Sequence, residues 1–417
     1  MTINVGREAP SSFLKSAPNF RSWQRDTLER GLLPVIGVAG GRGKSTVVRM
    51  LDAIFTEAHL RTATWTDLGI DIRGKRQRGE ISGWSLALSR LAEGTIDVAV
   101  QELHWSTINA VGLPPSSYPV VAITNMAGSV DAPPLSESDA IWRGAMRASS
   151  AVHGNGVLVI HVDDYTLMEA TRDAPCTSIV TALSIDAPGL RRHLESGGSG
   201  AWLEDKTIVL GDAETHQQLV PTKAIPCGLG GAASFEISSA MIASAVASSV
   251  GIDQETIASA LRQFHASDDL LPGSFNIFEV DGYRAVVDMA SPSWHLKSLL
   301  RAINPGGRRR QITVLGDLAK HPANDLQEAG RVLGRYPGAI ILHSNTNPDL
   351  IDILRKGIAI NDYPPLAVYL PTERRAINRA IKTARPDDVL LFLTGDDPGP
   401  ATRAIRRQME ANPGETD

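Results

Sequence analysis

Short, nearly continuous apolar runs recur along the first half of the chain, and each ends on polar residues. Ile96-Asp97-Val98-Ala99-Val100-Gln101 leads to Glu102, Pro119-Val120-Val121-Ala122-Ile123 to Thr124-Asn125, and Val157-Leu158-Val159-Ile160 to His161 and Asp163-Asp164. Runs of this length without alternation mark strands buried on both faces of a parallel sheet. Helical spacing predicts helices over 20–30, 84–91, 238–250 and 253–264. The β-branched segment 61–66 reads as a strand, and the spaced glycines Gly69, Gly74 and Gly79 read as a hairpin. Short strands and loops are expected over 180–228. Beyond residue 270 the alternation repeats, with strands at 283–288, 311–315, 339–342 and 389–393 and helices near 294–303, 324–335 and 373–384. The predicted class is α/β, a first domain with a mostly parallel sheet and a smaller, doubly wound one after it. In such sheets ligands lie at the carboxyl ends of the strands.

The chemistry concentrates in Val35-Ile36-Gly37-Val38-Ala39-Gly40-Gly41-Arg42-Gly43-Lys44-Ser45-Thr46. An apolar run enters a glycine-rich turn that opens onto helical spacing from Thr46 to Phe55, which makes strand, loop and helix. A polyphosphate needs backbone N–H groups that can approach its oxygens, a helix N-terminus aimed at it, an ammonium, and a hydroxyl for a magnesium ion. Gly40, Gly41 and Gly43 permit the approach, Lys44 carries the charge and Ser45 the hydroxyl. The common spacing G-x-x-x-x-G-K-[ST] fails here, because Val38 stands where its first glycine belongs. The chain fits G-x-x-G-x-x-G-K-[ST] instead.

With 417 residues, two domains are expected. The polar loop Ala266-Ser267-Asp268-Asp269 sets the division: an extension over 1–32, a central domain over 33–268 and a C-terminal domain over 269–417. A net charge of −5 gives no hint of a nucleic-acid surface, and no nucleic-acid partner is expected. No apolar span of membrane length and no signal-peptide pattern occurs, so the expected compartment is the cytoplasm. Cys176 and Cys227 lack metal-ligand spacing and read as structural thiols.

In this order the motifs resemble those of the Mur ligase superfamily, ATP-dependent ligases that join an amino acid to a carboxylate through an acyl phosphate. The family's G-T-N-G-K-[TS] loop is matched by Gly40-Gly41-Arg42-Gly43-Lys44-Ser45, its strand ending in Glu by Glu102, its T-N strand end by Thr124-Asn125 and its N-A-D-D by Asp163-Asp164. A P-G-R-x-N-like turn stands at Pro272-Gly273-Ser274-Phe275-Asn276, and a D-Y-A-H-N-P-like strand end at Asp288-Met289-Ala290-Ser291-Pro292. The hairpin glycines and Pro-Gly-Ser-Phe-Asn-Ile-Phe look most like the ligase half of cyanophycin synthetases, and Arg42 to Val47 also resembles poly-γ-glutamate synthetases.

The resemblance implies a P-loop central domain, a Rossmann-like C-terminal domain, and ATP and Mg2+ as cofactors. It assigns nucleotide binding to Gly40, Gly41, Arg42, Gly43, Lys44, Ser45, Thr46 and Asn125, magnesium to Ser45 and Glu102, and catalysis to Lys44, Glu102 and Asp288. Asp288 would reach toward the nucleotide. The partners it implies are a small-molecule or peptide-like carboxylate and an amine, with no UDP group because the family's UDP-binding domain has no counterpart in the short first segment.

Departures from the pattern leave a second reading open. The family's histidine after T-N has no counterpart in Met126-Ala127-Gly128-Ser129-Val130-Asp131, the arginine of the P-G-R turn is Ser274, and the histidine of D-Y-A-H-N-P is Ser291. The H-N-x-x-N helix start reads Phe235-Glu236-Ile237-Ser238-Ser239, and the G-K-G-H-E-like strand end reads Gly395-Asp396-Asp397. Asp131, His295 and Arg143 are candidates to substitute spatially. His104 is either a substrate contact or an exposed loop residue, with the second preferred. The alternative to a ligase is a catalytically impaired paralogue that serves as a nucleotide-binding regulatory or structural subunit. A homo-oligomer or a partner subunit is compatible with either.

Overall fold

The structure, a computed structural model, describes residues 19–126, 137–280, 282–290, 292–316, 318–320, 323–344 and 347–411. The sequence expectations that involve Asp131 and Ser291 lie outside these residues. The chain divides into two compact units, Met1–Phe264 and His265–Asp417.

In the first unit, helix α1 (Phe20–Glu29) precedes β1 (Val35–Ala39), α2 (Lys44–Glu57), β2 (Thr62–Thr66), β3 (Gly69–Ile72) and β4 (Lys75–Arg76). Then come α3 (Glu80–Ala92), β5 (Val98–Leu103), α4 (Trp105–Val111), β6 (Tyr118–Ile123), α5 (Glu137–Ser150), β7 (Val152–His161) and α6 (Tyr165–Ala170). The unit closes with β8 (Thr177–Ala182), α7 (Pro188–Glu195), β9 (Ser199–Glu204), β10 (Thr207–Gly211), β11 (His216–Pro221), α8 (Ser234–Ser249) and α9 (Gln254–Gln263). The seventeen strands among the described residues fall into two sheets, the first ordered β11-β10-β9-β8-β7-β6-β1-β5-β2-β3-β4. Its middle, from β9 to β2, is parallel, and antiparallel hairpins finish both ends.

Burial explains the strand composition. Every residue of β1 and β6 is buried, as expected for central parallel strands covered by helices on both faces. Helix α8 is deeply enclosed, with thirteen residues from Glu236 to Ser249 buried, and its alanines and serines let it lie against α2 and the sheet. Helix α1 is tied down by Asp97, just ahead of β5. Asp97 accepts from Arg61 N (2.8 Å), Arg61 Nε (2.9 Å) and Arg21 Nη1 (2.7 Å), while its carbonyl accepts from Gln24 Nε2 (2.8 Å). The Arg61 bond, working against burial, holds its carboxyl well below the usual carboxylate range. Replacing it strands several donors, so Asp97→Ala is expected to lose about 2 kcal/mol of unfolding free energy in urea titration.

The second unit is built from β12 (Asn276–Val280), β13 (Tyr283–Met289), α10 (Ser293–Ile303), β14 (Gln311–Leu315), α11 (Ala323–Leu333), β15 (Gly338–His343) and α12 (Pro348–Ala359). After these come β16 (Leu366–Leu370), α13 (Glu373–Thr383), β17 (Val389–Thr394) and α14 (Gly399–Ala411). Its sheet runs β12-β13-β17-β14-β15-β16, with β12 antiparallel and the rest parallel. The core packs around Val287, Val314, Ile341, Leu390 and Phe392 from these strands, against Ile377 and Ile405 of the last two helices. Helices α12 and α14 and the strands β12 and β16 are additions to the elements legible from periodicity.

Candidate functional site: a phosphate loop and its acidic wall

Strand register places the candidate residues together. Ala39, the last residue of β1, pairs with Leu103 of β5 on one side and Ile123 of β6 on the other. The segments that follow, 40–46, 102–104 and 124–126, therefore converge at one sheet edge, the carboxyl end of the parallel strands.

The loop's backbone is held by the T-N strand end. Thr124 Oγ1 donates to the Arg42 carbonyl at 2.7 Å, and Asn125 Nδ2 donates to the same oxygen at 2.9 Å. The Arg42 N–H donates to Asn125 Oδ1 at 3.2 Å and the Gly41 N–H to the Asn125 carbonyl at 3.1 Å. Asn125 is thus a brace of the loop, a role its side chain fills with both its donor and its acceptor. Glycine is required at two positions. Gly40 has φ 138°, and a Cβ there would overlap Thr124 Oγ1 and lie 3.1 Å from the Thr124 backbone nitrogen. Gly43 has φ 86° at the N-cap of α2, and its Cβ would lie 3.1 Å from Ser239 Oγ. Gly40→Ala is expected to lose about 2 kcal/mol in urea unfolding, the usual scale of a forced left-handed residue.

Helix α2 starts at Lys44 and points its N-terminal turn out of the sheet edge, where the helix dipole favours an anion. The Lys44 side chain is buried. Its Nζ donates to the Gly41 carbonyl at 3.2 Å and lies 3.7 Å from Glu102 Oε1. Ser45 Oγ donates to Glu102 Oε2 at 3.0 Å. Burial pushes the Glu102 carboxyl up, against the opposing pull of Lys44 and with a further push from Asp67. Thr46 is buried on the same first turn.

A histidine and a second carboxylate complete this wall. His104 caps the start of α4 through its backbone conformation, but its side chain makes no capping bond. Its Nε2 lies 2.8 Å from Asp67 Oδ1 and 3.8 Å from Glu102 Oε1, and only 22% of the side chain is exposed. The expectation of an exposed loop residue is corrected here: a strand-to-helix junction turns the imidazole toward β2. Asp67 was not singled out from sequence. It sits in the turn between β2 and β3, and the pairing of Trp65 with Gln101 carries it level with the 102–104 segment. A carboxylate in the turn after a predicted strand, Thr66-Asp67-Leu68-Gly69, was the available signal.

The remaining candidates take other places. Asp164 caps α6 and accepts from the Met126 N–H at 2.7 Å, which fixes the chain just after Asn125. Asp163 accepts from the Leu183 N–H at 2.9 Å and lies 3.2 Å from His161 Nε2. Arg143 is exposed on α5. Asp288 belongs to the second unit and is fully buried there. Its Oδ1 accepts from the Phe275 N–H at 3.2 Å, and its Oδ2 lies 3.6 Å from His295 Nε2. The two cysteines are free thiols.

The first-unit residues fit a magnesium-bound polyphosphate. Two hard oxygen donors, Ser45 Oγ and Glu102 Oε2, already stand together, an ammonium lies beside them, and left-handed glycines keep side chains out of the cradle. No helix among the described residues is long and apolar enough to cross a membrane.

A glycine loop on a parallel sheet, followed by a second, smaller α/β unit, is an arrangement that known proteins similar to this chain share. The chain is 24% identical over 390 residues to the cyanophycin synthetase of a Nostoc species, covering 91% of this chain and 42% of that protein. It is 23% identical over 376 residues to the UDP-N-acetylmuramoylalanine–D-glutamate ligase of Streptomyces coelicolor, covering 86% of this chain and 69% of that one. Among solved structures, the bifunctional folylpolyglutamate synthase/dihydrofolate synthase of Yersinia pestis, complexed with AMPPNP and a manganese ion, shares the fold with a TM-score of 0.64 at 16% identity, over 96% of this chain and 100% of that one. No family model matches the chain. These similarities relate the chain to the Mur ligase superfamily. It spans about two fifths of the length of the cyanophycin synthetases it matches.

Proposed function

We propose that this chain is an ATP-dependent amide ligase, joining a small-molecule or peptide-like carboxylate that carries no UDP group to an amine through an acyl phosphate. The observation that carries this reading is the meeting of Lys44, Ser45 and Glu102 at the mouth of the glycine loop. Phosphoryl transfer asks a protein mainly for positioning and charge neutralisation. In this reading the N-terminal turn of α2 and Lys44 face the β- and γ-phosphates, and Ser45 and Glu102 hold Mg2+. When bound, that ion supplies charge neutralisation at the transferring phosphoryl group. Asn125 and Thr124 keep the loop open by bracing the Arg42 carbonyl. Asp288 is assigned a positioning role, holding the turn at Phe275 in its own unit, in place of the nucleotide contact that the family pattern implies. The extensive similarity to cyanophycin synthetases supports a peptide-like carboxylate over a UDP-linked precursor.

Calorimetry with Mg-ATP, followed by ADP release in the presence of carboxylates and amines, tests the reading. Binding with ADP release that needs both substrates is expected. No binding at millimolar nucleotide overturns it. The second reading, a nucleotide-binding subunit without ligation, is favoured by Ser274 in the turn and by Phe235-Glu236-Ile237-Ser238-Ser239 at the start of α8. It predicts binding with no amine-dependent ADP release.

A further inference from the structure

We propose that the outer edge of the second sheet is a docking site for an acidic peptide segment of a partner protein, which adds to it as a further β-strand. Strand β16 ends the order β12-β13-β17-β14-β15-β16 and pairs with β15 alone. Among the described residues no strand lies on its other side. An edge strand presents a row of unpaired backbone N–H and C=O groups, which is a template for another extended chain.

Natural edges are commonly guarded by a charge or a proline within the strand. Strand β16 has neither. It reads Leu366-Ala367-Val368-Tyr369-Leu370, and Pro365 and Pro371 stand just outside it. Leu366 is 67% exposed and Tyr369 40% exposed, so apolar surface accompanies the backbone groups at the same edge.

The neighbouring helix decides which kind of chain fits. Alternation puts Leu366, Val368 and Leu370 on one face of β16, and Leu370 packs on the core that Ile377 and Ala380 of α13 help to form. Helix α13 therefore flanks this edge, in contact with β16. Its buried side is Ala376, Ile377 and Ala380, and its outer side carries Arg374, Arg375, Arg379 and Lys382, all exposed. None of these four cations makes an ion pair with a described residue. Elsewhere in the unit Arg284 is paired with Glu279, Arg310 with Asp388 and Arg406 with Asp268.

A row of uncompensated cations beside an unguarded edge selects among occupants. A second copy joined antiparallel through β16 would be related by a two-fold axis perpendicular to the sheet. Both α13 helices, with their cations, would then lie on one face of the joined sheet, and like charges oppose that pairing. A nucleic acid matches the charge but has no peptide groups to complete the ladder. An extended peptide that alternates acidic and apolar residues meets every demand: its backbone pairs with β16, its carboxylates face α13, and its apolar side chains lie beside Tyr369 on the opposite face. This inference goes beyond the ligase reading and does not rest on it.

The test titrates the full chain, without nucleotide and at low salt, with a labelled peptide of about ten residues alternating glutamate and valine. Fluorescence anisotropy reads binding, and amide hydrogen exchange reads the edge. Wild type is expected to bind below millimolar peptide, with exchange slowed over 366–370. A peptide alternating glutamate and proline keeps the charge but cannot extend a sheet, and is expected to bind at least about tenfold more weakly. The double variant Arg375→Glu/Arg379→Glu, both changes on the exposed side of α13, is expected to weaken binding of the glutamate-valine peptide by at least about tenfold. Circular dichroism checks its fold, and the wild-type arms decide the matter should it unfold. The inference is overturned if the glutamate-valine peptide does not bind at millimolar concentration, or if exchange over 366–370 is unchanged when it does. It is also overturned if the glutamate-proline peptide or an oligothymidylate binds as tightly, or if the chain alone dimerises in sedimentation with 366–370 already protected. Mg-ATP binding and ADP release are measured separately, so failure of the ligase reading leaves these outcomes readable.

Discussion

Lys44→Ala is expected to raise the dissociation constant for Mg-ATP at least about 100-fold in calorimetry while the fold, followed by circular dichroism, persists. The ammonium is buried, bonded to the Gly41 carbonyl at 3.2 Å, and held 3.7 Å from Glu102. It is thus already placed and desolvated before any phosphate arrives. A preorganised charge of this kind is worth about 3 kcal/mol at a phosphoryl group, and each 1.4 kcal/mol is about a factor of ten. Lys44→Arg is expected to fail as well, because a planar guanidinium does not fit where a compact ammonium tucks beneath the loop. A dissociation constant for Lys44→Ala within threefold of wild type would remove the loop from nucleotide binding altogether.

That lysine was legible because close approach to a polyanion forces particular residues into consecutive positions. Glycine at 40 and 43, lysine at 44 and a hydroxyl at 45 are local demands, and local demands survive as a motif. Glu102 was legible for a related reason, since a carboxylate that ends a buried apolar run stands out against it. Asp67 was not, because its partner is chosen by strand order: only the placement of β2 beside β5 brings it level with Glu102. His104 is a similar case. Its sequence neighbours say loop, whereas the direction of its side chain is set by a strand-to-helix junction. In the second unit, β16 is an edge strand that leaves Leu366 and Tyr369 exposed, and its apolar run Leu366-Ala367-Val368-Tyr369-Leu370 was the available signal for it. Asp288 is a different case. Its motif is recognisable in the sequence, whereas its burial and the bond from the Phe275 N–H are carried by the fold and not by spacing.

Arg49→Met is expected to lose about 3 kcal/mol of unfolding free energy and to lower the melting temperature by about 6–10 °C. Arg49 stands one turn beyond Ser45 on α2, buried, and its guanidinium binds Thr64 Oγ1 at 3.1 Å, Thr66 Oγ1 at 3.4 Å and Asp71 Oδ2 at 2.8 Å. It therefore bolts the phosphate-loop helix to β2 and β3, the two strands whose turn carries Asp67. Methionine keeps much of the stem's volume but leaves the buried Asp71 with Arg76 as its remaining guanidinium partner, at 2.8 Å. Truncating one side of a buried pair usually costs 3–5 kcal/mol, and the surviving Arg76 bond sets the lower end of that range. The pH dependence has a definite sign. Burial works to raise the Asp71 carboxyl, but the bonds from Arg76 and Arg49 outweigh it and hold it below its ordinary value. The unfolded chain then binds the proton more readily, so the stabilisation is present above about pH 4 and is lost as pH falls through the folded value. Arg49→Met should flatten that acid limb. In a double-mutant cycle with Asp71→Asn, the combined loss should fall short of the sum of the single losses by at least about 1 kcal/mol, because both changes remove the same contact. Strict additivity, or an Arg49→Met loss below about 0.5 kcal/mol, would show that the helix and the hairpin are joined by apolar packing alone.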